Sequence, residues 1–484
     1  MPEPDNTRIV ILGGGFGGMY VALELERTLA RDPNVNITVV NRENFFLFTP
    51  MQHEVAASDL DLTSIVNPAR KLLRRVNFLE GDVERIDLQK KTVQVSHGVD
   101  HHHHEMPYDH LVIALGSITN FYGLPGLAER ALTMKSLGDA IHLRNRLIAH
   151  LEHADPECGA ALREPLLTFV VAGGGFAGVE TVAGINDFVR HALRFYPNPK
   201  ESDLRVVLVH PGPTILPELG EKLGTYAQKK LAERGVDIRV NVKVTGVSDD
   251  GVTLSDGTFL RSRMVIWTAG TSANPQLASL PCHLDRGRIC VDSTLAVPGW
   301  PNVWALGDCA LIPDERSGKF FPPTAQHALR QARVVAQNIT ATERGRPRKK
   351  FSFATIGQLA AIGRRSGVAN ILGFNFSGFV AWLLWRSIYL SKLPRMEKKV
   401  RVALDWTLDL MFSKDLVQYQ TFRAPSVSEE EMTQEGEPRG DKLPSPSSPA
   451  FAGKHYAEVA TDVPIDPDAP QHNRTGQAKD RTNE

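Results

Sequence analysis

Two glycine signatures of one kind punctuate this chain and constrain its fold more than any other feature. The first lies in RIVILGGGFGG and sets Gly13, Gly15 and Gly18 at G-x-G-x-x-G spacing. The second, in LTFVVAGGGFAG, sets Gly173, Gly175 and Gly178 in the same register. In both, β-branched and apolar residues run straight into the glycines and a helix-compatible segment follows. The first glycine permits a tight turn, the second lets the backbone approach a pyrophosphate, and the third lets helix and strand pack closely. A single match arises readily from packing alone. Two in one chain, each after a buried-type strand, predict two dinucleotide sites.

The rest of the composition sets limits. A chain of 484 residues has room for about three domains. Lys+Arg and Asp+Glu are balanced at 55 each, so no bulk field favours nucleic acid or an acidic polymer. The start, MPEPDNTRIV, enters the first strand with no basic-then-apolar leader, so export is not expected. Cys158, Cys282, Cys290 and Cys309 are scattered without a C-x-x-C pair, which fits a reducing compartment and argues against a disulfide reductase. The His101–His104 run reads as a solvated turn before Tyr108, and no metal site is expected.

Along the chain the pattern is nested. Strand Asn36–Val40, a hairpin-like stretch near Val93–Val95, and YDHLVIALGS follow the first signature. The second signature has its own return strand, RVVLVHPG, and closing strand, MVIWTAG; NVWALGDCA then reads as a return to the first lobe. The expected fold is α/β, with two Rossmann-like dinucleotide-binding domains, one inserted in the other. The first covers 7–120 and 266–345, the second 121–265. A C-terminal helical region (346–423) and a disordered, proline-rich polar tail (424–484) follow.

The order GGGFGG, YDHLVIALGS, GGGFAGVE, WTAG, ALGDCA and PPTAQHA resembles the two-dinucleotide-binding flavoprotein superfamily. Within it, LFTPM, GGGFAGVE, AQHALRQ and AAIGRRSGVA…AWLLWRS are similar to type II NADH dehydrogenase, the single-chain NADH:quinone oxidoreductase, over roughly residues 8–422. The resemblance implies non-covalent FAD in the first lobe, held by Gly13, Gly15, Phe16, Gly17, Gly18, Asn41, Arg42, Ala114, Gly116, Gly307, Asp308, Ala325, Gln326 and His327. Asn41 stands where the family usually has a ribose-binding carboxylate, and Asp308 matches the ribityl-binding residue. NADH falls to the second lobe, at Gly173, Gly175, Phe176, Ala177, Gly178, Glu180, His210, Ala269 and Gly270. His210 occupies the position of a carboxylate that would repel the 2′-phosphate of NADPH, so weakened donor discrimination is expected. Glu180 and Gln326 are the implied catalytic residues, with Glu180 beside the nicotinamide and in the path of protons. The family lines its quinone slot with two glutamines four residues apart; Gln326 matches the first, Arg330 replaces the second, and Gln331 is adjacent.

No stretch of 18 continuous apolar residues is present, so a membrane-spanning helix is excluded on length and turnover would not itself pump protons. Phe379, Trp382, Leu383, Leu384, Trp385 and Tyr389 precede Lys392, Arg395, Lys398, Lys399 and Arg401; Val400, Leu404, Leu408 and Met411 then recur at helical spacing with Trp406 on the flank. Aromatic bodies beside a cationic strip read as peripheral membrane contact, placed on the cytoplasmic face of the inner membrane. A helical pair that packs on the flavin domains or forms a homodimer interface is the competing reading. The expected reaction is hydride transfer from NADH to FAD, then electron transfer to a membrane quinone. The alternatives are a flavin reductase of another acceptor and a flavin-bearing NADH sensor or scaffold.

Overall fold

The computed structural model describes residues 6–419 except 99, 158, 410 and 413, all within one compact unit. Cys158 lies outside the described residues, and so does the tail from 424 that the sequence reads as disordered. β1 (Thr7–Leu12) is buried from Ile9 onward and leads into the first glycines; α1 (Phe16–Arg27) begins directly after them and returns the chain to β2 (Val35–Asn41). After the short helix α2 (Gln52–Ala56) come β3 (Asn77–Glu80) and β4 (His110–Ile113). The second lobe repeats the unit with β5 (Thr168–Ala172), α3 (Phe176–Ala192), β6 (Arg205–Val209), β7 (Val236–Arg239) and β8 (Met264–Trp267), whose pairing with β5 carries this lobe past the expected boundary at 265. β9 (Val303–Ala305) and α4 (Ala325–Glu343) then rejoin the first lobe.

The first sheet has the order β9-β4-β1-β2-β3 and the second β7-β6-β5-β8, all pairings parallel. Strands such as Thr168–Ala172, buried at every position, need this arrangement, because helices cover both faces of a parallel sheet. Where the chain passes between the lobes, Ser117–Thr119 pairs antiparallel with Thr271–Ala273, so the outgoing and returning segments lie side by side.

Two local expectations are corrected. The histidine run is mostly strand: His102–Pro107 pairs with Thr92–His97, and His104 stacks on His97 at 4.5 Å. As the outer strand of a three-stranded meander it keeps His102, His103 and His104 exposed, so pairing there removes no polar side chain from water. The C-terminal region also opens on a sheet rather than on helix. β10 (Gly357–Ala361), β11 (Gly367–Ile371) and β12 (Phe374–Ser377) form an antiparallel meander. Leu372 and Gly373, both at positive φ, make the tight turn between the last two strands, and a leucine where Asn is usual hides that turn in the sequence.

α5 (Gly378–Lys392) and α6 (Met396–Leu408) follow. Their outer faces expose Phe379, Val380, Leu383, Met396, Val400, Leu404 and Leu408. Trp382, Trp385 and Trp406 face inward and are buried, so they are not part of an outer aromatic strip. Lys398 also leaves the cationic strip: it is buried, and its Nζ donates to the Thr63 carbonyl at 2.5 Å. Among the described residues no helix is long and apolar enough to cross a membrane.

Candidate active site

The two glycine turns are built alike. Gly13 and Gly173 hold φ of +101° and +119°, which disfavours any other residue. A Cβ on Gly18 would lie 1.9 Å from the Gly13 oxygen, and one on Gly178 would lie 1.8 Å from the Gly173 oxygen. Helix and strand therefore approach until only hydrogen fits between them. A Cβ on Gly15 or Gly175 would instead meet nothing within 4 Å, leaving at each helix start the open space a diphosphate needs. The side chain ending the second strand of each lobe closes the turn. The Asn41 Oδ1 accepts from the Gly14 N–H at 2.7 Å, and the His210 Nδ1 accepts from the Gly174 N–H at 3.1 Å. Burial lowers the His210 pKa, so the ring is neutral and able to accept. Arg42 turns away to pair with Asp82 at 2.6 Å.

Between the turns lies a cavity of about 560 Å³. The first lobe contributes Gly15, Gly116, Ser117 and Asp308, and the second contributes Phe176, Ala177, Glu180, Thr268 and Gly270. Thr49, Pro50, Gln52, His53, Lys135 and Tyr389 also line it; no sequence motif singles out Gln52, His53 or Lys135, and the sequence marks Tyr389 only as part of the membrane-facing aromatic stretch. Asp308 accepts from the Ser117 hydroxyl at 2.8 Å, and the Lys135 Nζ donates to that hydroxyl at 3.2 Å. Burial lowers the Lys135 pKa, against the nearby Asp308 charge. The open turn at Gly15, the polar edge at Asp308 and the volume at the junction fit FAD with its ring between the lobes.

Glu180 is buried in the wall of this cavity. Its Oε1 accepts two hydrogen bonds, from the Ala361 N–H at 3.1 Å and the Trp385 Nε1 at 2.9 Å. Burial nevertheless raises the carboxyl to about 8, so it carries a proton at neutral pH. With both donors on Oε1, that proton belongs on Oε2, which lies 3.7 Å from the His53 Nδ1. Burial drives the His53 pKa down to about 3. The contact is therefore a neutral ring beside a protonated acid rather than an ion pair.

The start of α4 divides its labour differently from the sequence reading. Gln331 faces inward and is buried, its Oε1 accepting from the Gly307 N–H at 2.9 Å. It anchors the turn that presents Asp308, because a part-buried N–H at a positive-φ glycine is held best by an acceptor. Gln331 is thus unavailable to a quinone. Gln326 donates to the Gly357 carbonyl at 3.3 Å. Arg330 donates to the Gln326 carbonyl at 2.8 Å and stacks 4.0 Å over Phe353. His327 is held by Thr324 at 2.7 Å, and its pKa is driven down to about 4 by burial and then by Arg330. These residues lie outside the lining of the main cavity. Cys309, next to Asp308, is a buried free thiol raised by burial to about 11, which suits packing and not redox chemistry.

Residues 7–332 match the pyridine nucleotide-disulphide oxidoreductase family, and residues 356–415 match the NDH2 C-terminal domain. The chain is 35% identical over 427 residues to the type II NADH:quinone oxidoreductase Ndh of Mycobacterium tuberculosis, covering 85% of this chain and 89% of that one. It is 32% identical to the demethylphylloquinone reductase NdbB of Synechocystis sp., covering 82% and 95%. NDH2 from Plasmodium falciparum, solved in complex with NADH, shares the fold at a TM-score of 0.79 and 19% identity, covering 85% of this chain and all of that one.

Proposed function

The chain belongs to the type II NADH:quinone oxidoreductases, and from that premise we propose how its residues divide the work. It binds FAD, oxidises NADH and reduces a quinone. The flavin, when bound, supplies the two-electron acceptor for hydride and the donor for the quinone. The observation that carries the assignment is the 560 Å³ cavity that both glycine turns and Glu180 share. In this reading Gly13, Gly15, Gly18 and Asp308 hold FAD, and Gly173, Gly175, Gly178 and His210 hold the nicotinamide nucleotide. Glu180 positions the reacting groups and gives a proton to the quinone. Purified flavin-bearing protein is expected to reduce a short-chain quinone with NADH at about 10 turnovers per second or more. Turnover confined to a small redox protein as acceptor would favour the general reductase instead.

His210 predicts a further result. A neutral imidazole does not repel a 2′-phosphate as a carboxylate would, so the kcat/KM preference for NADH over NADPH is expected below about a thousandfold, roughly 4 kcal/mol. His210→Glu should raise that preference at least about tenfold, and an unchanged ratio would remove His210 from the donor site.

Quinone access and membrane contact fall to one element. Tyr389 of α5 lines the cavity while Phe379, Val380 and Leu383 of the same helix are exposed, joined by Val400 and Leu404 of α6. With Lys392 and Arg401 exposed beside them, this face suits a lipid headgroup layer and peripheral attachment on the cytoplasmic side, where soluble NADH is met. Leu383 and Leu404 are 50% and 56% exposed, so Leu383→Glu with Leu404→Glu should leave the melting temperature unchanged. Binding to anionic vesicles should weaken at least about tenfold, since each buried leucine contributes roughly 1.5–3 kcal/mol. Undiminished vesicle binding would place the attachment elsewhere.

A further inference from the structure

A second cavity, of about 220 Å³, shares Glu180 and His53 with the first. Its other walls bring charged residues together from four directions: Glu54 of α2, Asp187 of α3, Arg386 of α5, and Asp409 and Lys414 beyond α6. Arg194 and Arg364 in its lining are exposed, so it reaches solvent. The volume holds several water molecules, and charged walls keep such a space wet. The Arg386 guanidinium lies 4.2 Å over Trp382 and 4.5 Å over Trp406, and its buried Nε has no hydrogen-bond partner among the described residues. A buried donor left open in this way calls for water.

Glu54 follows His53 in α2, is 6% exposed and lines the second cavity but not the first. Its Oε2 accepts from the Trp406 Nε1 at 3.1 Å. The groups facing it are Arg386 from α5, Asp59 from the segment after α2, Lys414 beyond α6, and Glu180 from α3. Asp59 is itself paired with Lys414.

We propose that this second cavity is the proton inlet for quinone reduction, with Glu54 taking protons from solvent water and passing them by way of His53 and cavity water to Glu180. The inference rests on quinone being the acceptor. Overall, NADH, quinone and one proton give NAD⁺ and quinol. The hydride brings both electrons and one of the two hydrogens, and the inlet delivers the remaining proton. Glu180 loses its proton to a quinone oxygen and regains one from Glu54, which is reprotonated from water. Along the path only O–H bonds of Glu54, water, Glu180 and the quinone and N–H bonds of His53 are made and broken. Burial raises the Glu54 carboxyl to about 8 against the opposing charge of Arg386, so Glu54 holds a proton to give at neutral pH. Neutral His53 can accept a proton at one ring nitrogen while releasing one at the other.

The test uses the FAD-loaded full chain. Infrared spectra of the resting enzyme at pH 7 should contain a protonated-carboxyl band that Glu54→Gln removes. In stopped flow, Glu54→Gln should leave flavin bleaching by NADH within about twofold of wild type. Reoxidation by a short-chain quinone should slow at least about tenfold. Glu54→Ala should show the same slow phase and recover speed with added formate, a rescue that a packing defect would not show. Where Glu54→Gln fails to hold flavin, Glu54→Asp carries the test, with the band shifted and the quinone phase slowed. An unchanged quinone phase, equal slowing of both phases, absence of formate rescue, or no infrared change at residue 54 overturns the inlet. A wild-type flavin that quinone fails to reoxidise overturns the acceptor assignment instead.

Discussion

Gly18→Ala is expected to yield a colourless protein, and Gly178→Ala a yellow one that NADH bleaches poorly. The two substitutions impose the same injury on opposite lobes. The new methyl would sit 1.9 Å from the Gly13 oxygen in one case and 1.8 Å from the Gly173 oxygen in the other. Because both obstacles are backbone, no rotamer relieves them and the helix must lift from its strand. Overpacking of this kind costs about 1–3 kcal/mol or more and moves the N–H groups that face the diphosphate. Flavin occupancy below about a tenth is expected for Gly18→Ala, and for Gly178→Ala a rise in NADH Kd of roughly a hundredfold, about 3 kcal/mol. Equilibrium dialysis and titration of the flavin absorbance measure these. Gly15→Ala separates strain from ligand contact: its Cβ meets open space, so the fold should keep its Tm while flavin affinity falls. If Gly178→Ala kept the wild-type dependence on NADH concentration, the nicotinamide site would not be at the second turn.

Glu180→Gln is expected to slow quinone reduction about a hundredfold while leaving reduction of the flavin by NADH within about threefold, since a positioned proton donor contributes roughly 10²–10⁴. Glutamine can still accept from the Ala361 N–H and the Trp385 Nε1, so hydrogen bonding survives and only the transferable proton is lost. The pH dependence has a definite sign. Burial raises the carboxyl to about 8, so its proton is present below that value and lost above it. The wild-type quinone step should therefore fall as pH climbs through about 8, and Glu180→Gln should lack that limb. Equal losses in both half-reactions would make Glu180 a packing residue.

What the sequence reveals about this site follows from how local each feature is. The glycine turns were legible because strand, turn and helix lie within a dozen residues and only glycine tolerates the contacts at 13, 18, 173 and 178. Through the family resemblance, Glu180 came from its place just after the second turn and Asp308 from the Gly307-Asp308 pair that follows the strand NVWAL. Lys135, His53 and Tyr389 enter the cavity from segments far apart in the chain, so no spacing rule marks them. Gln331 and Gln326 look equivalent in a list of polar residues. Five residues apart on α4, Gln331 turns toward Gly307 and Gln326 toward Gly357. α5 is apolar on both sides, with Ala381 and Trp385 buried and Phe379 and Leu383 exposed. Periodicity alone therefore could not say which stripe faces the core, and the tryptophans were assigned to the wrong face.

The most direct measurement is an anaerobic two-step mixing experiment on the purified wild-type protein, followed by its visible absorbance. NADH added first should bleach the flavin in milliseconds to seconds, and a short-chain quinone added next should restore the colour on a similar scale. A protein that carries no flavin, or a bleached flavin that persists for minutes in excess quinone, would contradict the shared-cavity account.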